Sequence, residues 1–291
     1  MSTEFELLAD GLGIGRPPPG WVAIVDMPVL ILVGVTGVGK STTVDALRAR
    51  WGEISLLPNR RKIADLLVIP TVQGWDGDPP TAVTDRRRRF DYTGRYRQRH
   101  SGGLAHAFSR LVLQRQTAGP DRGALTVFDG LRGADEVTFA AQSLPLARFA
   151  VLNAPDVVRV ERLLQRQDAF DQVSANAGGQ RAGSSDGTPH ATRHSAADSG
   201  VGFRWEEVAE GGELFTDEEQ AHLAALVTRG EVDGAELAAK IAIVAAERRN
   251  YDPHAAVEIL RAAAPDRTVV VDTTAHSPVE VAAKLERIAA N

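Results

Sequence analysis

Apolar positions along the chain fall into short continuous runs that alternate with helically spaced ones. Val29, Leu30, Ile31, Leu32 and Val33 form an uninterrupted stretch bounded by Pro28 and Gly34. A short run with no polar alternation predicts a strand buried on both faces. A helix is expected next, from Lys40 to Arg50. The same alternation returns at 124–128 with 133–144, at 147–152 with 156–166, and at 268–271 with 277–289. Repeated βα units predict a mostly parallel sheet with helices on both faces, a three-layer α/β domain. A further strand is expected within 63–69.

Helix boundaries are marked by capping residues. Ser277 followed by Pro278 and Glu280 has the form of an N-cap, a first-turn proline and a capping box, with Val281, Leu285 and Ile288 on one face. Thr216 with Glu219, Asp233 with Glu236, and Asp252-Pro253 begin three more helices, so 216–264 reads as a helical segment. Residues 174–202 are rich in Ser, Gly, Ala, Asp and His with almost no apolar anchors. Such a stretch buries too little surface to offset the entropy of ordering, and a flexible insertion is expected there. His190 and His194 within it read as solvated side chains. The expected organisation is an N-terminal tail over 1–26 and one domain over 27–291.

Composition narrows the chemistry. With 43% hydrophobic residues, the 291-residue chain can bury a sizeable core. It has no cysteine, which excludes disulfides and thiolate metal sites and leaves oxygen or imidazole ligands, with which a hard cation such as Mg2+ fits. A formal charge of -5 argues against a broad DNA-coating surface. Acidic and Pro-rich residues occupy Met1–Gly20, and no long uncharged apolar stretch occurs, so a cytoplasmic protein without a membrane span is expected. Arginine supplies nearly all the positive charge, the lysines being Lys40, Lys62, Lys240 and Lys284.

One of these lysines lies in a recognisable motif. Gly34-Val35-Thr36-Gly37-Val38-Gly39-Lys40-Ser41 fits G-x-x-x-x-G-K-S/T between a buried strand and a helix, the context a phosphate-binding loop requires. The glycines allow backbone N–H groups to turn inward where a Cβ would obstruct them, and the helix N-terminus adds partial positive charge. The motif assigns Lys40 to the β- and γ-phosphates of ATP, Ser41 to Mg2+ and Thr42 to the α-phosphate.

A second anchor is Asp129, expected at the end of the apolar strand Leu125-Thr126-Val127-Phe128, where a carboxylate orients Mg2+. The next residue is Gly130, so the glutamate that many motor ATPases use to activate water is missing there. That favours phosphoryl transfer over hydrolysis. Asn153-Ala154-Pro155-Asp156 lacks the lysine of a guanine-recognition signature, which sets a GTPase aside.

Phe128-Asp129-Gly130-Leu131-Arg132 resembles the Asp-Gly-aromatic-Pro-Arg stretch of adenylate-kinase-like nucleoside monophosphate kinases. It is also similar to the Asp-Gly-Ile-Arg-Gly stretch of dephospho-coenzyme-A-kinase-like proteins. Residues 151–166 resemble the strand and the helix that leads into the lid of those kinases, whose arginines clamp the transferring phosphates. The resemblance covers about a third of the chain and implies a three-layer P-loop kinase-like fold with a lid or helical insertion. It also implies catalytic roles for Arg162 and Arg166. Arg159, Arg162 and Arg166 stand at helical spacing on one face. Guanidinium groups suit charge that spreads over a transferring phosphoryl group.

The acceptor side is expected in Asp85–His100. Seven arginines concentrate there, Arg88, Arg95, Arg97 and Arg99 among them, and Ser101-Gly102-Gly103 then opens a helix with Leu104, Phe108, Leu111 and Val112 on its apolar face. Arginines beside a helix N-terminus make an anion site. With Arg132 they are the candidate substrate-binding residues. Phe90, Tyr92 and Tyr96 offer rings for stacking, so the acceptor is expected to be a small phosphorylated or nucleotide-like molecule, and a nucleic-acid end also fits. Two alternatives stand beside a kinase of small molecules: a regulatory ATP-binding switch that engages a protein partner, and a polynucleotide 5′-kinase.

Overall fold

The computed structural model describes residues 4–114, 124–166, 205 and 212–290. The insertion expected at 174–202, with His190 and His194, lies outside the described residues. Two compact units emerge: Met1–Ala154 with Asn250–Asn291, and Pro155–Arg249.

The segment read as an N-terminal tail carries three strands, β1 (Glu6–Ala9), β2 (Leu12–Ile14) and β3 (Trp21–Ala23). The buried apolar run becomes β4 (Val29–Val33), followed by α1 (Lys40–Trp51) and β5 (Ile54–Leu56). The chain then turns helical. Asn59 accepts a hydrogen bond from the Lys62 N–H and starts α2 (Arg60–Ile63), which continues through a π turn (Ala64–Val68) into α3 (Ile69–Trp75). The strand expected within 63–69 is therefore absent. A short apolar run satisfies a buried helix as well as a strand, and the Asn59 cap decides between them. Pro70, with no N–H to donate, sits where the π turn gives way to α3.

The arginine-rich segment forms α4 (Arg86–Arg99), capped by Asp85, and α5 (Gly103–Ser109) follows. The helix expected to run through Val112 stops at Ser109. Leu111 and Val112 instead belong to β6 (Leu111–Gln114), which pairs antiparallel with β2 and β3. Backbone groups available on both flanking strands offer Leu111-Val112-Leu113 a ladder, and pairing overrides helical spacing. The resulting four-stranded sheet has the order β1-β2-β6-β3.

Beyond it lie β7 (Leu125–Leu131), α6 (Ala134–Ser143) and β8 (Ala147–Asn153). The chain then leaves for the second unit and returns. After α7 (Asp156–Leu164), α8 (Asp217–Thr228) and α9 (Gly234–Asn250) come α10 (Pro253–Ala263), β9 (Thr268–Asp272) and α11 (Pro278–Ala290). The second sheet is five-stranded and parallel in the order β5-β7-β4-β8-β9. Every residue of β4 is at most 2% exposed, as a strand at the centre of a covered sheet requires. Leu30 and Leu32 face α1 and α11 together with Val44, Leu47, Val281 and Leu285. Val29, Ile31 and Val33 face the other layer, with Phe108 of α5, Val137 of α6 and Leu260 of α10. The three-layer α/β class is thus present, with the parallel sheet flanked by helices on both sides.

The helical unit has its own core of Val160, Leu163, Phe215, Leu223, Leu237, Ile241 and Val244. Its α8 begins with a complete capping box between Thr216 and Glu219. Among the described residues no helix is long and apolar enough to cross a membrane.

Candidate functional site

The sheet order reverses around β4: the chain crosses to β5 and β7 on one side, then to β8 and β9 on the other. In an open parallel sheet the crevice beyond the carboxyl end of such a strand is where ligands bind. Residues 34–39 leave β4 at that end and lead into α1. Gly34, Gly37 and Gly39 take φ values of +152°, +85° and +92°, and Gly39 is the N-cap of α1. A Cβ on Gly34 would stand 2.8 Å from the Leu152 carbonyl oxygen and 2.9 Å from Val38 Cγ2. Glycine is therefore required there by both conformation and space.

The loop is pinned from beneath. Val35 and Val38 are buried, the Thr273 hydroxyl donates to the Val38 carbonyl at 2.9 Å, and the Thr43 hydroxyl donates to that of Gly39 at 2.9 Å. Thr36, Gly37 and Gly39 are half-buried, and Ser41 and Thr42 are exposed on the first turn of α1. Lys40 Nζ donates to the carbonyls of Gly34 (3.0 Å) and Val35 (2.8 Å) and lies 3.8 Å from Asp129 Oδ1. A cation, a helix N-terminus and a glycine turn thus converge on one side of the loop, an arrangement suited to an anion.

Asp129 does not end its strand, as the sequence suggested. β7 continues to Leu131, and its register against β4 shifts after the Leu32–Asp129 pair, so that Val33 faces Leu131 and Gly130 is the extra residue. Such a bulge re-aims the side chain beside it. A Cβ on Gly130 would stand 2.3 Å from Phe128 Cζ. The Phe128 ring thereby excludes a glutamate from the position after Asp129.

The oxygen donors fit a hard divalent cation. The Asp129 side chain is 29% exposed and the Ser41 hydroxyl is on an exposed residue. Among the described residues no group of three or more His, Cys, Asp or Glu is placed to hold a metal. An ion here would take its remaining ligands from water and from a bound phosphate, as Mg2+ commonly does.

The expected acceptor arginines disperse. Arg95 is engaged by Asp76, with Nη1–Oδ2 at 2.8 Å and Nη2–Oδ1 at 2.5 Å, and this pair holds the Asp76 carboxyl below its usual range. Arg99 lies over the Trp75 ring at 4.6 Å. Arg88 is exposed at the start of α4, its N–H bound by the Asp85 carboxylate. Tyr92 and Tyr96 are 7% and 1% exposed in the core, which removes them as stacking platforms and leaves Phe90 outside. Tyr96 shares a 3.0 Å hydrogen bond with His106 Nδ1. Arg97 is exposed, and its stem approaches Gly103 beside Glu136: a Cβ there would be 3.7 Å from Arg97 Cγ and 3.6 Å from Glu136 Oε1.

The three arginines of α7 also part company. Arg159 is 2% exposed, donating to Asp156 Oδ1 and Glu247 Oε2 at 2.6 Å each, so it is a structural ion pair of the helical unit. Arg162 is half-buried and Arg166 exposed in the same unit.

A cluster that the sequence did not signal surrounds Arg132. Arg60 Nη1 donates to the Gly130 carbonyl at 3.0 Å and to Glu136 Oε2 at 2.7 Å, and Nη2 lies 3.4 Å from the Tyr251 hydroxyl. Glu136 Oε2 also accepts the Arg132 backbone N–H at 2.9 Å. The one local hint was the four-residue spacing of Arg132 and Glu136, ahead of an apolar helix.

No family model and no curated protein matches the chain. Two solved structures are similar to it over most of their length. One is a sulfotransferase from Alicyclobacillus acidocaldarius, with 12% identity, 91% of this chain and 81% of that chain covered, and a TM-score of 0.36. The other is a shikimate kinase from Acinetobacter baumannii in complex with shikimate, with 19% identity, 50% and 71% coverage, and a TM-score of 0.24. The fold assignment stands on the molecule's own parallel sheet, its two helical layers and the glycine loop that follows the central strand.

Proposed function

We propose that this chain is an ATP- and Mg2+-dependent phosphotransferase, a P-loop kinase of a small phosphorylated or nucleotide-like acceptor. The observation that carries the reading is Lys40 Nζ at 3.8 Å from Asp129 Oδ1, next to a loop turned by three positive-φ glycines. In this reading the loop amides and Lys40 bind the β- and γ-phosphates, while Ser41 and Asp129 are the protein's oxygen ligands to Mg2+. The metal would neutralise charge on the phosphates. Lys40 moves from the Gly34 and Val35 carbonyls onto phosphate oxygens, a short reach for a flexible ammonium. The Phe128 ring, by barring a carboxylate from position 130, favours transfer to an acceptor over activation of water.

The test is incubation with γ-labelled ATP and a panel of nucleotides, nucleosides, coenzyme-A precursors and 5′-hydroxyl oligonucleotides. Acceptor-dependent label transfer is expected from a small phosphorylated or nucleotide-like member of the panel. Absence of any Mg-ATP binding by calorimetry would remove the reading.

A further inference from the structure

The carbonyl oxygens of Gly34, Val35, Val38 and Gly39 all accept hydrogen bonds from side chains of the protein. Lys40 Nζ takes those of Gly34 and Val35. The Gly39 oxygen accepts from both the N–H and the hydroxyl of Thr43, each at 2.9 Å. The Val38 oxygen accepts from the Thr273 hydroxyl at 2.9 Å. Lys40 and Thr43 are close neighbours of the loop in sequence, whereas Thr273 reaches it from the turn after β9, 235 positions away.

A trans peptide unit points its carbonyl and the following N–H in opposite directions. The bond from Thr273 to the Val38 carbonyl therefore aims the Gly39 N–H away from the β9 turn, and the bonds from Thr43 to the Gly39 carbonyl aim the Lys40 N–H away from the body of α1. Gly39 is left-handed, with φ 92° and ψ 18°, and Lys40 is the first helical residue. Successive N–H groups in such a pair converge as an anion-binding nest. Yet glycine at position 39 also lets the peptide that joins it to Val38 take either orientation at little steric cost. The Thr273 hydroxyl selects one of them.

Thr273 is itself firmly placed. Its N–H donates to the Asn153 carbonyl at the end of β8, at 2.9 Å, and Asp272 Oδ1 holds the next residue by accepting from the Thr274 N–H at 2.8 Å and hydroxyl at 2.6 Å. The Thr273 hydroxyl also lies 3.1 Å from the Asn153 oxygen, but that oxygen already accepts the Thr273 N–H, and the shorter contact is the one to Val38.

We infer that Thr273 is a positioning residue for phosphate binding: by holding the Val38 carbonyl it fixes the Gly39 N–H as a donor to the phosphate chain of the nucleotide. The inference rests on the phosphotransferase reading and adds to its site a residue that lies outside the glycine motif.

The full chain is titrated by calorimetry, with Mg2+ present, against inorganic tripolyphosphate and against a non-hydrolysable ATP analogue. Thr273→Val keeps the shape of the side chain and removes the hydroxyl. It should weaken both ligands by about three- to tenfold, and by the same factor, because tripolyphosphate has neither base nor sugar. Thr273→Ser returns the hydroxyl without the methyl and should bring both affinities within about twofold of wild type. A packing role predicts the reverse order, with Val tolerated and Ser not, or a lower melting temperature at unchanged affinity. Wild-type affinity in Thr273→Val, or equal losses in the Val and Ser variants, refutes the assignment. Should Thr273→Val fail to fold, the wild-type amide spectrum decides: the Gly39 amide proton is expected to move downfield when tripolyphosphate binds, and a Gly39 signal that stays in place overturns the inference. If the wild type binds neither ligand, the phosphotransferase reading itself fails and the role of Thr273 falls with it.

Discussion

Replacing Arg159 by Met separates a structural role from a catalytic one. The guanidinium is 2% exposed and spans two carboxylates, Asp156 and Glu247, that are themselves 11% and 10% exposed. Removing one partner of a buried pair costs about 3–5 kcal/mol, because the remaining charge stays desolvated. Asp156 also has Arg248 Nε at 3.3 Å, which retains part of its compensation, and Met restores much of the arginine stem's packing. The lower end of the range therefore applies, about 3 kcal/mol, more than about a hundredfold in the folding equilibrium. Urea unfolding followed by far-ultraviolet circular dichroism reads this as a lower midpoint. Changing Glu247 to Met as well should return part of the loss, since two apolar side chains replace an ion pair that was costly to desolvate. Folded Arg159→Met protein should bind Mg-ATP as wild type does. A wild-type urea midpoint accompanied by abolished phosphoryl transfer would refute this reasoning and assign Arg159 to the phosphates.

Three further outcomes are expected. Asp129→Asn should lose turnover by about a hundredfold or more while its melting temperature stays at the wild-type value; near-normal activity removes Asp129 from the chemistry. Gly34→Ala forces a Cβ toward the Leu152 carbonyl at a φ that L-residues rarely adopt, and should cost about 1–3 kcal/mol along with nucleotide affinity; unchanged melting and calorimetry would show that the loop relaxes without penalty. Burial, then the charges of His100 and Arg110, hold His106 neutral and push its pKa down from 6.5 to about 4. Between those values the unfolded chain binds a proton that the folded chain does not, so the stability present above pH 6.5 is lost as the pH falls toward 4. His106→Gln should flatten that slope in pH-dependent melting, and an unchanged slope refutes the assignment.

Local features were legible because neighbouring residues decide them. The run Val29–Val33, the glycine spacing from Gly34 to Gly39 and the helix beginning at Lys40 depend on contiguous side chains and on backbone freedom at single positions. The same holds for the Ser277–Glu280 cap, whose reciprocal hydrogen bonds form within one turn, and for the Asp252 cap. Alternation of such elements was enough to specify a parallel sheet between helical layers, because βα units have few ways to cover both faces of a strand.

What remained was decided by distance in sequence. Residues 63–69 and 111–112 are short apolar runs that suit either helix or strand until a cap or a partner strand selects one. An arginine is equally at home in solvent, on an acidic side chain or against a ring, so the sequence did not distinguish Arg95 on Asp76, Arg99 on Trp75 and Arg159 inside its unit from the free phosphate ligands they resembled. The cluster around Arg60 joins residues separated by 70, 76 and 191 positions. No local pattern encodes such a meeting: the sheet order brings these backbones together, and the charges and the phenol then pair by proximity.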